Sequence, residues 1–260
     1  MLSLLVLSIC SKAQDTLQDS IQTIKISALK IDTDLKRSTL SVNAVKINQS
    51  NLQNLSLQDQ ISNIPGLISL NAYNFAQDLR ISIRGFGARS PFGIRGIKLI
   101  VDGIPETTPD GLGQLDNLNL DLIEKIEIIK GPASGLYGNA SGGVIKIDTK
   151  ESNDNYLING SYAIGSFGYQ KMNLSLSKKI NQTQILLNAN QTKSDGYRFN
   201  SEFESNLFQL KVKHSLSPSL NINWNTSIVD SPLANDPGGI NLDAVEEDRL
   251  QARPQNIQFK

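Results

Sequence analysis

The sequence predicts two joined architectures. Over residues 38–150 it predicts an α+β domain, a mixed sheet with short helices, and over 151–260 antiparallel transmembrane β-barrel strands, with the barrel incomplete. Three observations lead there. Past residue 150, apolar and polar residues alternate in runs of roughly nine to eleven, the length a tilted membrane-crossing strand needs. Between 38 and 150, short β-prone runs are punctuated by a helix cap and by Pro-Gly and Gly-rich stops. Regular β-α-β units are missing, which argues against a doubly wound sheet. Finally, 39% of the residues are hydrophobic and only 19% charged. Asn, Gln, Ser and Thr fill the difference, as suits strands with one wet face.

The α+β elements follow in order. Leu40–Ile47 reads as a strand. SLQDQISNIPG (56–66) reads as a short helix, with Ser56 and Asp59 at capping-box spacing and Pro65-Gly66 as a stop. Strands are predicted at Leu67–Asn71, Leu79–Arg84, Ile97–Asp102 and Lys125–Lys130. Pro132 is placed at the first position of a second short helix, and Val144–Thr149 closes the set. The stretch GPASGLYGNASGGVIKI, Gly131–Ile147, packs five glycines into its first thirteen residues. Each costs roughly 0.5–1 kcal/mol in regular structure, so bare backbone is required there.

In the last region Tyr156, Ile158, Gly160, Tyr162 and Ile164 share one face, against Leu157, Asn159, Ser161 and Ala163. Met172, Leu174 and Leu176 repeat the pattern, as do Ile185, Leu187 and Ala189, then Phe208, Leu210 and Val212. Leu220, Ile222, Trp224 and Ile228 alternate with Asn221, Asn223 and Asn225. The links at 180–182 and 217–219 are tight; those at 194–205 and 230–255 are long; a further strand is expected from Asn256. Short turns on one rim and long loops on the other mark an outer-membrane barrel. The short link Ser166–Gly168 departs from that rule. The competing reading is a soluble antiparallel sandwich with one wet face per sheet.

Composition narrows function. Basic and acidic residues number 25 each, giving zero formal net charge, which argues against a nucleic-acid binder. The opening MLSLLVLSICSKAQ reads as a secretory signal over residues 1–13, with Leu2–Ile9 as its apolar core and cleavage near Ala13. It is too short to span a bilayer, for which about 20 apolar residues are needed. Its basic stretch is missing, so a start upstream of Met1 is expected. Cys10 opens a lipoprotein alternative, although Ile9 is bulkier than such a site normally accepts. After cleavage no cysteine remains, which excludes disulfides and thiol catalysis.

Signatures of enzymes, metals and cofactors do not occur. His214 lies on the apolar phase of a strand without a second ligand beside it. Asp110, Asp116 and Asp121 lack calcium-loop spacing. No serine sits in a nucleophile elbow. The glycine run lacks the Lys-Ser/Thr pair of a phosphate loop, and Gly85-x-Gly87 lacks the third glycine of a dinucleotide fingerprint.

ISIRGFGARSPFGIRGIKLIVDGIPETTPDG (81–111) and LIEKIEIIKGPASGLYGNASGGVIKI (122–147) resemble the plug domain of TonB-dependent outer-membrane receptors. The matching pieces are IPG at 64–66, IRGFG at 83–87, VDGIP at 101–105, EKIEIIKGPASGLYG at 124–138 and SGGVIKI at 141–147, in the family's order and spacing. DGYRFNSEFES (195–205) and NDPGGINL (235–242) resemble the opening strands and loops of the family's barrel.

The resemblance implies a plug over 38–150 filling the lumen of a barrel of about 22 strands, of which 151–260 supplies the first five or six. Residues 14–37 become a flexible periplasmic segment. Within it Thr23, Ile24, Lys25, Ile26, Ser27 and Ala28 resemble a TonB box, which would add a strand to the partner protein TonB; a first plug strand or a loose tail is the plainer reading. Arg84 and Lys130 match the positions where plug cations meet carboxylates of the barrel wall; local pairing with Glu124 or Glu127 is the alternative. Arg89, Ser90, Thr107, Thr108 and Asp110 are the ligand-contact candidates, and simple solvation is the alternative for such loop residues. Gly85, Gly87, Gly131, Gly135, Gly138, Gly142 and Gly143 would shape the backbone.

The implied function is energy-coupled uptake, across a Gram-negative outer membrane, of a scarce small ligand. A ferric siderophore or other iron chelate comes first; cobalamin or a glycan fragment is the alternative. Five or six strands do not close around a plug, so the chain is expected to be an N-terminal fragment. The other readings are an exported, barrel-less, plug-like binding or signalling module, a non-functional fragment, and a small self-contained barrel.

Overall fold

The computed structural model describes residues 24–47, 55–71, 73–151 and 157–258. The signal segment, Cys10, Thr23 and Tyr156 lie outside them. The described chain enters on a hairpin, β1 (Lys25–Ile26) pairing with β2 (Thr33–Asp34), and a 3-10 turn at Leu35–Arg37 follows. This corrects the expected flexible segment over its described part. Alternate apolar residues give it a packing face, and Ile26 and Ala28 are buried at 1% and 0% exposure.

β3 (Ser41–Lys46) leads to α1 (Leu57–Ile61). The capping box forms as expected: Ser56 Oγ accepts from Gln58 N at 3.2 Å, and Asp59 Oδ2 accepts from Ser56 N at 3.1 Å. Leu57 and Ile61, four residues apart, bury one face of this helix. β4 (Leu67–Leu70) and β5 (Arg80–Ile83) make a two-stranded ribbon. Next come β6 (Ile94–Arg95), β7 (Ile97–Val101), β8 (Ile104–Pro105) and β9 (Leu112–Gly113), with β6 and β9 forming a second small ribbon. β10 (Ile123–Lys130), α2 (Ser134–Tyr137) and β11 (Gly143–Thr149) complete the domain.

Pro132, expected to open the second short helix, does not: it stands two residues before Ser134, where α2 begins. The backbone is first tied across the glycine-rich loop, Ala133 N to Ala140 O at 3.0 Å, and only then turns helical.

The main sheet runs β3-β10-β11-β7-β8, antiparallel except where β11 meets β7. Both of its faces are covered, which is why β10 buries four successive residues, Ile126 to Ile129, with Glu127 among them. Ile126, Ile128, Ile145 and Ile147 pack with Ile81, Ile83 and Ile61 on one face. Ile129 and Val144 pack with Ala28, Ile100, Ala133 and Ala140 on the other. Each such isoleucine contributes about 1.5–3 kcal/mol by leaving water.

Five long strands follow, paired antiparallel in sequence order: β12 (Leu157–Ile164), β13 (Gln170–Ile180), β14 (Thr183–Ser194), β15 (Phe203–Ser217) and β16 (Leu220–Ala234). The sheet is open. Its tight turns are the expected ones, the first placing Asn181 at φ 52°. β15 and β16 pair out to Phe203 opposite Ala234, so the long link begins at 235, not 230. Beyond it α3 (Leu242–Glu247) and α4 (Pro254–Ile257) form. The strand expected from Asn256 is corrected to this last helix. Pro254 occupies a first-turn position there, and Arg253 N bonds Pro237 O at 2.8 Å, folding the segment back.

Exposure decides what the alternation means. Ile158, Tyr162, Met172, Leu174, Phe208, Ile222, Trp224 and Ile228 face outward and are exposed, whereas Lys171, Ser177, Asn188 and Gln209 of the other phase are buried, Lys171 and Asn188 on Asp121 and Asn119 of the α+β domain. A soluble sandwich buries its apolar phase. This sheet does the reverse, which is the arrangement of a barrel wall in lipid around a polar lumen.

Candidate functional site

Segment 24–28 is clasped rather than free. Ser27 N lies 3.2 and 3.1 Å from the two carboxylate oxygens of Glu127, and Ala28 N lies 2.7 Å from Oε2. Glu127 is completely buried, with Lys125 Nζ at 2.6 Å. Burial alone pulls the Lys125 pKa down, but the bond and charge of Glu127, with Asp148, raise it above its ordinary value. Lys146 Nζ donates to Ser27 Oγ at 2.9 Å and pairs with Asp148. Tyr137 O–H donates to Ala28 O at 2.5 Å, and Lys30 Nζ sits 4.5 Å from the centre of its ring. The buried charge is therefore paired and hydrogen-bonded, the condition under which burial is tolerated.

Arg84 and Lys130 are brought together, but by carbonyls. Arg84 Nη1 reaches Lys130 O at 3.4 Å, and Lys130 Nζ reaches Pro65 O at 3.2 Å. Glu127 belongs to Lys125 instead. Among the described residues neither cation forms an ion pair, so the local pairing with Glu124 or Glu127 is corrected.

The ligand-contact candidates divide. Ser90 and Thr107 are buried, and their hydroxyls serve the backbone: Ser90 Oγ donates to Phe92 O at 2.6 Å, and Thr107 Oγ1 accepts from Leu99 N at 2.8 Å. Thr108 bonds Leu112 O at 2.8 Å and also Asp110. The Thr108 bond, that of Leu112 N and the Arg95 charge hold the Asp110 carboxyl below its ordinary pKa. Arg89 is exposed.

The glycine run has two separate reasons. Gly143 has φ 148°, and a Cβ there would stand 2.2 Å from Ile129 O; a Cβ on Gly142 would stand 2.4 Å from that of Phe86. Gly135 has nothing within 4 Å, so its expected structural role is not supported by contact.

Sequence reasoning missed a polar seam between the domain and the wall. Lys171 Nζ meets Asp121 at 2.6 Å and Lys211 meets Asp102 at 2.9 Å, and Lys213 meets Glu151, at the joint just past the domain, at 2.7 Å. Asn190 Nδ2 donates to Asp121 at 2.7 Å and Asn119 Nδ2 to Asn188 at 2.5 Å. The expected lock had cations on the domain and carboxylates on the wall; here the signs are reversed. The signal was present, since all three lysines sit on the polar phase of their strands and so point inward.

On the rim with the long links, Asp236 accepts from Asn74 at 2.7 Å, Gln77 at 3.0 Å and Gly238 N at 2.8 Å. Burial pushes its pKa up, but these bonds and the Arg198 charge prevail and hold it below the ordinary value. Arg198 binds the carbonyls of Gly238 at 2.7 Å and Gln251 at 2.8 Å, and Phe75 stacks on Phe203 at 3.9 Å. Asp116, by contrast, is raised by burial and by the Asp78 charge, despite the bond from Leu79 N.

Residues 32–144 match the family model described as TonB-dependent Receptor Plug Domain. Over 100 residues the chain is 33% identical to a hemin receptor of Yersinia enterocolitica, covering 38% of the chain and 14% of that protein. Among solved structures it resembles the unliganded ferric citrate transporter FecA, with TM-score 0.66 and 19% identity over 83% of the chain and 34% of FecA. It also resembles the ferric yersiniabactin uptake receptor FyuA of Yersinia pestis, with TM-score 0.57 and 20% identity over 74% of the chain and 32% of FyuA. For the pyoverdine receptor FpvA of Pseudomonas aeruginosa PAO1 the TM-score is 0.62, at 16% identity over 80% of the chain and 30% of FpvA. At these identities the likeness is one of fold, and the chain spans about a third of each of these structures.

Proposed function

The chain carries a TonB-dependent receptor plug domain over residues 32–144, and from that premise we propose that it is the N-terminal part of an outer-membrane receptor for energy-coupled uptake of an iron chelate. The observation that carries this reading is the inverted wall, apolar outside and polar inside, wrapped on a plug. A barrel-less exported module would leave that apolar band in water, where a contiguous patch of such size is a liability. Similar proteins are named for hemin, ferric citrate, ferric yersiniabactin and pyoverdine, and another for copper, which favours a metal chelate as cargo. The exposed Arg89 suits an anionic one.

Segment 23–28 is the TonB box. Once released, its extended backbone adds a strand to TonB in the periplasm. Arg84 and Lys130, which take only carbonyls within the plug, meet carboxylates of later wall strands and hold the plug until it is pulled. Ligand outside favours the released state only by its differential affinity for the two states. Deleting residues 22–29 in the full receptor is expected to abolish uptake of the chelate while sparing binding at the cell surface. Uptake at the unmodified rate would overturn the assignment.

A further inference from the structure

We propose that Glu127 is a latch that keeps segment 24–28 closed to strand addition, so that a partner gains it only after the carboxylate has let go. This rests on the strand-addition reading above. A segment offered to a partner's sheet edge must present unpaired backbone groups, and here they are engaged. Ile24 O accepts from Leu35 N at 2.9 Å, and β1 pairs with β2. Ser27 N and Ala28 N both end on Glu127, Ser27 O accepts from Lys30 N at 3.0 Å, and Ala28 O takes the Tyr137 hydroxyl.

Glu127 is the one charged group in that set. It sits on β10 beneath the segment, on the same face as Ile129, and it is completely buried with the segment in place. Bonds to an ionised acceptor are roughly twice as strong as neutral ones, so the carboxylate outweighs any other single contact of the segment's backbone; the ammonium of Lys146 holds only the Ser27 side chain. Departure of the segment strips it of three N–H contacts and leaves Lys125 as its partner. Opening is thereby opposed until something else compensates.

The test uses the full-length receptor in detergent micelles without ligand. Hydrogen exchange is followed on the peptide covering residues 24–30, alongside binding of the purified periplasmic domain of TonB. Glu127→Gln keeps the shape and removes the charge. Exchange at Ser27 and Ala28 is expected to speed about tenfold or more, and TonB binding to strengthen with it. Tyr137→Phe, which deletes only the hydroxyl, should shift both in the same direction by less, and covers the case in which the first variant fails to fold. Unchanged exchange in a folded Glu127→Gln receptor would overturn the latch. Faster exchange with unchanged TonB binding would uphold the latch and overturn the TonB-box reading instead.

Discussion

Ile126 and Ile128 of β10, and Leu174 and Leu176 of β13, obey the same spacing of two, yet they end in opposite surroundings. The isoleucines are completely buried in the plug, at 0% exposure; the leucines stand outward on the wall, at 48% and 36%. The same alternation therefore carries no fixed meaning. It says only that a strand has two unlike faces, and the solvent beyond each face decides which one is turned inward. In the plug the alternative to burial is water, so apolar faces meet one another. In the wall, under the proposed reading, the outward face is offered to hydrocarbon, while the inward face meets Asp102, Asp121 and Asn119 of the plug, so the polar phase is the buried one.

The contrast can be broken at either end. Ile126→Ala in the full receptor leaves a cavity in a closed core and is expected to cost about 2–5 kcal/mol; loss of protection across β10 and β11 in hydrogen exchange would report it. A value below about 1 kcal/mol would mean that the plug core is looser than its exposures imply. Leu174→Arg probes the other side. On a lipid face it should cost about 2–4 kcal/mol, read as a shift in folding into vesicles. Were that face in water the change would stay within about 0.5 kcal/mol, and the inverted wall would be refuted.

The smallest effect concerns the joint between plug and outer rim. The Asp236 carboxyl is held below its ordinary pKa, so its contribution is complete above the unfolded value of about 3.9 and fades as the pH falls through the folded value. Protection of residues 74–78 should therefore weaken on the acid side in the native chain. In Asp236→Asn that pH dependence should vanish. Asp116, raised by burial, has the opposite sign: its ionisation opposes folding, and protonation relieves it.

Much of this was legible in residue order. The helix at 57–61 is announced by Ser56 and Asp59, whose capping contacts are local, and the wall strands by alternation that survives over their whole length. What local pattern did not reveal depends on contacts far apart in the chain. Segment 24–28 looks loose on its own, and the groups that fix it, Glu127, Tyr137 and Lys146, lie about a hundred residues or more away. Pro132 suggested a helix start, but the tie from Ala133 to Ala140 intervenes. The strand expected at Asn256 gave way to a turn of helix because Arg253 is bonded to Pro237. The seam was misread in sign, since Arg84 and Lys130 drew attention to cations in the plug while the lysines that pair across it lie in the strands.

β3 stands at the border of the main sheet and touches one neighbouring strand, β10, through six paired residues, while β1 and β2 ahead of it share two. A mechanical load entering at residue 24 meets these junctions in order of increasing length. β3 can peel away as a unit, and the remaining order β10-β11-β7-β8 keeps every pairing it had. The domain is thus graded in tensile strength along its own chain, yielding first where the thread is pulled and holding where the isoleucine core begins.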